Sequence, residues 1–297
     1  MNSAAAALLP ALLAKAGLPP EPECELIRQF FPFSGVWRIR PQRGATVIYK
    51  EAWAPLDRED TALRYAASEG IPVPVVIASC RQDNRGAILM TDLGQPARPA
   101  TGTDAAPLAA RIHRAPGNGL PVIGAAELSA MPPRIAARAA KHGLPAATAA
   151  ASRIARSAAR LAAPAAVPPY GLCHSEWHPE SILIDAAGQP HAYDWARAFT
   201  GPGLLDLASW HGTRTSPDPA AVRATITAYV QAGGHPDALA DRAGLPAETW
   251  ALAWHRIWAA DWYLQQLDMG WIPDQYLDIQ RGAIERHTAE AAALLLP

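Results

Sequence analysis

The segment Leu172-Cys173-His174-Ser175-Glu176-Trp177-His178-Pro179-Glu180-Ser181-Ile182-Leu183-Ile184-Asp185 decides how the chain is read. Ala192-Tyr193-Asp194-Trp195 and Gly201-Pro202-Gly203-Leu204-Leu205-Asp206-Leu207-Ala208 follow it. Short apolar runs separated by His, Pro and Gly form the pattern of a loop between short strands. Two histidines and a carboxylate fall within five residues, and Asp194 ends a short apolar strand. Strand ends beside loops hold reactive side chains on a rigid support. His174-x-Glu176-x-His178 is open to a transition-metal reading, because alternate residues of an extended segment face the same way. It is not the helical zinc pattern H-E-x-x-H, and no further His or Cys pair stands close by.

Upstream, residues 23–31, 36–40 and 45–53 read as strands, the last entered through a Gly44 turn. Residues 56–69 place Leu56, Leu63 and Ala66–Ala67 at helical spacing, and Gly70 ends the run. Two more strands, 74–80 and 86–93, flank a polar turn. Residues 94–103, rich in Gly, Pro and Thr, read as a linker. Helices are expected at 104–114, 124–130, 133–142 and 146–162, then at about 203–210, 218–232, 246–268 and 273–295. The expected domains are residues 1–93, rich in strands, and residues 94–297, mainly helical with a small β insert.

Composition narrows the functional classes. Half of the 297 residues are hydrophobic and 18% are charged, which excludes a disordered chain. A net charge of -1 offers no footprint for nucleic acid. Cys24, Cys80 and Cys173 read as reduced thiols of a cytoplasmic protein. The opening MNSAAAALLPALLAKAG imitates a signal peptide without a basic start, and Pro10 interrupts its apolar run; a helix capped near Ser3 is expected instead. No apolar stretch is long enough to span a membrane. Only three of the 26 basic residues are lysines, Lys15, Lys50 and Lys141, and Lys50 alone lies mid-strand. Asparagine is as scarce, and none follows Asn118.

The central stretch resembles the catalytic region of the aminoglycoside-phosphotransferase and choline-kinase-like family, relatives of the protein kinases. That family reads H-G-D-x-H-P-x-N, a short strand, I-D-W and D-x-A; His174, His178, Pro179, Asp194, Trp195 and Asp206 fall on matching positions. Tyr49-Lys50-Glu51 resembles the strand whose lysine grips nucleotide phosphates, and Arg58-Glu59 opens the helix whose glutamate pairs with that lysine. Gly70-Ile71-Pro72-Val73-Pro74 resembles the turn after that helix, and Met90-Thr91-Asp92 lies where the nucleotide hinge belongs. The resemblance covers roughly residues 25–210 in the right order. It implies a two-lobed, protein-kinase-like α+β fold with its active cleft between lobes. The implied reaction moves the γ-phosphate of ATP or GTP, with Mg²⁺, to a hydroxyl of a small molecule, such as an antibiotic or another natural product. In it Lys50, Glu59, Met90 and Asp92 bind nucleotide, Asp194 and Ser181 hold the metal, and Glu176 is the base. His174, His178 and Asp206 brace the loop. A monomer or homodimer is implied, with no nucleic-acid or membrane partner.

The departures from the family pattern concern chemistry. Its catalytic Asp is Glu176 here, its metal-binding Asn is Ser181, and the Gly after its first His is Ser175. Glutamate adds one C–C bond, about 1.5 Å of reach, and a misplacement near 1 Å costs roughly 100-fold. Phe33-Ser34-Gly35 is the nearest match to a phosphate-covering glycine loop. A catalytically degenerate, nucleotide- or metabolite-binding protein is therefore the alternative, and a metal-dependent hydrolase a third reading. Other assignments have plain counterparts: Lys50 as a snorkelling strand lysine, Glu59 as a solvated first-turn glutamate. Trp250, Trp254, Trp258 and Trp262 form a row drifting about 40° per step, read as a core seam that in part walls a substrate cleft. Asp261 and Asp268, with Trp258, are the candidate substrate contacts. Asp274 and Asp278 read as a solvated face or further acidic contacts.

Overall fold

The computed structural model describes residues 8–30 and 33–296. They fall into two compact units, Met1–Ala100 with Glu180–Arg197, and Thr101–Pro179 with Ala198–Pro297. In the first, β1 (Glu23–Phe30), β2 (Ser34–Arg40), β3 (Val47–Trp53), β4 (Val76–Gln82) and β5 (Arg85–Thr91) pair antiparallel in the order β1-β2-β3-β5-β4. The side-chain period of 2 sorts this sheet into two faces. Trp37, Ile39, Val47, Tyr49 and Leu89 enter a core closed by Leu9, Leu12 and Leu13 of α1 (Leu9–Lys15). Each such side chain contributes roughly 1.5–3 kcal/mol when fully buried. The start of the helix expected from Ser3 lies outside the described residues. The alternate residues Val36, Arg38, Ile48 and Lys50 line a cavity on the other face. Between β3 and β4 runs α2 (Glu59–Ser68). It ends at Gly70, φ +70°, where the Gly70 N–H meets Ala67 O and the Ile71 N–H meets Ala66 O. That left-handed cap explains the glycine.

The second unit is helical. The Thr101 N–H donates to the Asp104 carboxylate (2.9 Å) to start α3 (Gly102–Ile112). Then α4 (Ala125–Lys141) runs unbroken through Pro132-Pro133, where two helices were expected. Prolines in a helix interior cost about 3 kcal/mol. Here Leu128, Met131, Ile135 and Ala139 bury one continuous stripe, with α4 packed on its helical neighbours, and this outweighs the local loss. The single helix expected at 146–162 is instead α5 (Pro145–Ala155) and α6 (Ala158–Ala162), broken where Ser157 leaves helical φ. The alanine run carries no stop signal that would mark the break.

The strand β6 (Tyr170–Cys173) leads into the loop 174–179. Next, β7 (Ile182–Ile184) and β8 (Pro190–Ala192) form a small ladder belonging to the first unit. Back in the second unit, β9 (Phe199–Pro202) pairs antiparallel with β6. It is followed by α7 (Leu204–Ser209), α8 (Pro219–Gln231), α9 (Ala247–Asp268) and α10 (Leu277–Leu295). The helix α9 is buried over most of its circumference, its charged Arg256 and Asp261 included; Trp250 and Trp254 are fully buried, with α4, α7, α8 and α10 against it. The tryptophan row is a core seam at these two positions.

Candidate active site

In the first unit three charged groups from distant parts of the chain meet. The Lys50 Nζ lies 2.5 Å from Glu59 Oε2 and 2.6 Å from Asp194 Oδ1. β3 presents Lys50 opposite Val36 and Ile88 on the cavity face. Glu59 opens α2, and its Oε1 accepts the Trp195 N–H (3.0 Å). One carboxylate thus grips both the lysine and the backbone next to Asp194. Burial works to discharge Lys50, but attraction to Asp194 and then Glu59 outweighs it and holds its pKa above the ordinary value. Burial pushes the Glu59 carboxyl up, against the pull of Lys50. The Asp194 side chain is 40% exposed, and its backbone sits at φ +68°, a left-handed conformation that is costly for a non-glycine residue.

Beside this triad lies a cavity of about 420 Å³, within the size range of small-molecule pockets. Val36, Ile48, Met90 and Leu183 give it apolar walls, and Lys50 and Asp194 line it with charge. Met90 and Asp92 both border it, but Asp92 is already engaged. It accepts the Arg38 Nε–H (2.7 Å) and the Gly94 N–H (2.9 Å). Burial opposes its charge, yet Arg38, Gly94 and Thr46 hold its carboxyl below the usual range. Ser181 belongs to this unit as well. Its carbonyl accepts the Tyr193 N–H (3.0 Å), which ties it to the residue before Asp194, and it is 1% exposed. A carboxylate and a hydroxyl are hard oxygen donors, the chemistry that suits Mg²⁺.

In the second unit the loop after β6 is suspended from Asp206 on α7. The fully buried Asp206 accepts the His174 N–H (2.6 Å) and the Ser175 N–H (2.7 Å). His113, just past α3, places Nε2 3.2 Å from Asp206 Oδ2, and its ring packs against Gly203, where a Cβ would lie 2.6 Å from Nδ1. Trp177 is clamped by Ser209, whose Oγ accepts the Trp177 N–H (3.0 Å) and donates to its carbonyl (2.8 Å). Glu176 is half-buried on this loop, and the His174 ring meets Trp177 edge-on at 5.6 Å. His178 is half-buried beside Trp177.

Among the described residues the His/Cys/acid cluster of metal-binding size is His113, Cys173 and Asp206, not His174, Glu176 and His178. Its Asp206 oxygens are occupied by backbone N–H groups. Burial first, and Asp206 second, raise the Cys173 thiol pKa, so the sulfur stays protonated. The cluster is a brace. The sequence offered one signal for His113, a lone histidine at the end of an apolar helix, and that pattern does not point to a partner 93 residues away.

The acids of α9 also have occupants. Asp261 is 2% exposed and takes Arg134 Nη2 at 2.9 Å, Arg138 Nη1 at 3.1 Å and Gln265 Nε2 at 3.0 Å. Asp268 meets Lys141 at 2.7 Å, His142 at 2.9 Å and Arg138 at 3.2 Å. Trp258 packs on Phe199 of β9 at 5.3 Å. Asp274 and Asp278 are exposed.

No curated protein matches the sequence. In fold, the chain is similar to a choline/ethanolamine kinase family protein from Mesorhizobium loti, with a TM-score of 0.65 and 20% identity over 99% of this chain and 95% of that one. It is also similar to a macrolide 2'-phosphotransferase from Brachybacterium faecium, TM-score 0.59 and 19% identity over 98% and 97%. A third is spectinomycin phosphotransferase in complex with ADP and spectinomycin, TM-score 0.57 and 13% identity over 91% and 92%. The fold is the protein-kinase-like α+β fold. With the phosphotransferase enzyme family matched over residues 48–245, which include Lys50, Glu59, Glu176, Asp194 and Asp206, the chain belongs to that family.

Proposed function

We propose that the protein transfers the γ-phosphate of ATP or GTP to a hydroxyl of a small molecule, an antibiotic or another natural product. The observation that carries this reading is the meeting of Lys50, Glu59 and Asp194 beside a cavity of nucleotide-compatible size. Phosphoryl transfer asks for positioning and charge stabilisation. Lys50 neutralises phosphate oxygens, Glu59 fixes the amine, and Met90 with the Asp92 region borders the base. Residues 1–93 form the nucleotide-binding lobe and residues 94–297 the catalytic and substrate-binding lobe. Asp194 and Ser181 would hold Mg²⁺, which when bound neutralises charge on the transferring phosphoryl group. Glu176 accepts the proton of the attacking hydroxyl, and His174, His178 and Asp206 hold its loop. The acceptor oxygen forms a bond to the γ-phosphorus, the bond from that phosphorus to the β–γ bridging oxygen breaks, and nucleoside diphosphate leaves with the electron pair. The protein is a cytoplasmic monomer or homodimer in this reading; no helix among the described residues is long and apolar enough to cross a membrane.

Consumption of Mg-nucleotide across a panel of hydroxylated compounds tests the proposal. Glu176→Gln should lower kcat by about 10²–10⁴-fold with nucleotide KM little changed. If Asp194→Ala leaves turnover intact, the metal assignment is wrong. One observation favours a second reading, nucleotide binding without turnover: Ser181, at the family's Asn position, is 1% exposed. Nucleotide binding with no turnover on any acceptor would establish that reading instead.

A further inference from the structure

The family pattern I-D-W reads Tyr193-Asp194-Trp195 in this chain, so a tyrosine stands directly before the proposed metal ligand. Tyr193 follows β8 at the end of the small β7–β8 ladder, whose register sets Ile182 opposite Ala192. One step further, the Tyr193 N–H donates to Ser181 O (3.0 Å). Beyond that point the backbone departs: Asp194 turns to φ +68°, and the Trp195 N–H goes to Glu59 Oε1. The Tyr193 phenol carries the tie one residue on, because its O–H donates to Glu180 O. Tyr193 thus holds two consecutive carbonyls of the turn that carries Ser181, one through its backbone and one through its side chain. Its half-buried ring also lines the cavity beside Lys50. All of these residues belong to the first unit.

We infer that Tyr193 is a positioning residue for the divalent cation: its hydroxyl fixes the spacing between Ser181 and Asp194, the two oxygen donors that would share that cation. The inference rests on the phosphotransfer reading, which assigns those two residues to the metal. Three arguments support it. A serine hydroxyl is set by one torsion, whereas the amide oxygen of the family's Asn lies one bond farther out and turns about a second torsion. The donor atom of Ser181 therefore goes where its backbone puts it, and Tyr193 is what ties that backbone to Asp194. Mg²⁺ is exacting, with near-octahedral oxygens at about 2.0–2.1 Å, so this spacing matters. Finally, a left-handed non-glycine residue persists only where its surroundings over-determine it. Around Asp194 the two Tyr193 bonds do so on one side and the Trp195 bond to Glu59 on the other.

Tyr193→Phe keeps the ring and the backbone bond and removes only the tie to Glu180 O. Paramagnetic resonance of Mn²⁺ with the full chain and ADP reads the cation, and isothermal titration of ADP in EDTA reads the nucleotide without it. Residues that orient metal ligands typically change metal affinity by about 10–100-fold. Tyr193→Phe should weaken Mn²⁺ binding within that range, while metal-free ADP affinity and the thermal midpoint stay near wild type. Tyr193→Ile, which carries the family's own side chain, should weaken Mn²⁺ binding at least as much. Wild-type Mn²⁺ affinity in either variant, where Asp194→Ala lowers it, overturns the positioning role and leaves the phosphotransfer reading standing. Loss of metal-free ADP binding by the same factor in Tyr193→Phe also overturns it, since the phenol would then support the cavity as a whole. If Asp194→Ala binds Mn²⁺ as wild type does, or wild type binds none, the metal assignment falls and the inference falls with it.

Discussion

Lys50 keeps its charge in a buried position because two carboxylates surround it, and removing one partner of such a group strands the other. Lys50→Met should destabilise the first unit by about 3–5 kcal/mol, since Glu59 is left buried and unpaired. Lys50→Met combined with Glu59→Gln should cost less than the sum of the two changes, and urea unfolding of the four proteins measures the coupling. Additive losses would mean that the pair is energetically independent. Ser175 presents the opposite case, a residue that works against its own loop. It adopts φ +79°, and its buried Oγ has no hydrogen-bond partner among the described residues. A non-glycine left-handed residue costs about 1–2 kcal/mol and an unsatisfied buried hydroxyl about 1–3 kcal/mol, against about 0.5–1 kcal/mol for the extra freedom of glycine when unfolded. Ser175→Gly, which keeps the N–H bonded to Asp206, should therefore raise stability by about 1 kcal/mol or more. A lower urea midpoint for that variant would refute the account.

Elements inherit these local forces, and they show how far the sequence could be read. The sheet and Gly70 were legible because a period of 2 and a helix-ending glycine are local signals. So was the approach of Glu59 to Lys50, carried by the resemblance. The unbroken α4 was not legible, because it depends on packing that no short window contains. Nor was the use of Asp261, which looked available for substrate until α4 brought Arg134 and Arg138 to it. That cross-helix contact sets an ordering of variants. Arg134→Ala with Arg138→Ala leaves Asp261 as a buried anion, whereas Asp261→Ala leaves arginines that are about a third exposed and can rehydrate. The double arginine variant should be the less stable, by thermal unfolding; the reverse order would show that the guanidinium groups carry the cost. Asp206 orders α7 and the loop in the same way. Asp206→Ala frees two backbone N–H groups, so amide exchange at His174 and Ser175 should accelerate by about tenfold or more, while exchange in the β3 strand stays unchanged. Unaltered exchange at the loop would show that other contacts hold it.

At the scale of the whole molecule, a net charge of -1 leaves little self-repulsion near neutrality, so acid sensitivity depends on particular buried groups. The clearest is His287 on α10, fully buried, with neither ring nitrogen hydrogen-bonded among the described residues. Glu290 Oε2 lies 3.5 Å from its Nδ1, but that oxygen is also 2.9 Å from Arg256 Nε. The Tyr263 ring packs against the imidazole, tilted by 37° with centroids 5.6 Å apart. Burial first, then the positive charges of Arg256 and Arg286 and the neighbouring His255, push its pKa down to about 3. The folded chain thus holds this ring neutral where the unfolded chain, with an ordinary pKa near 6.5, protonates it. Stability from this group is complete above about pH 6.5 and is lost as pH falls from there toward 3, at up to about 1.4 kcal/mol per pH unit. His287→Phe removes the titration while keeping a flat aromatic ring against Tyr263. In scans from pH 7.5 to 4.5, the wild-type unfolding midpoint should fall more steeply than that of His287→Phe, and the two curves should run parallel above pH 7. Parallel curves throughout would place the acid sensitivity in another group.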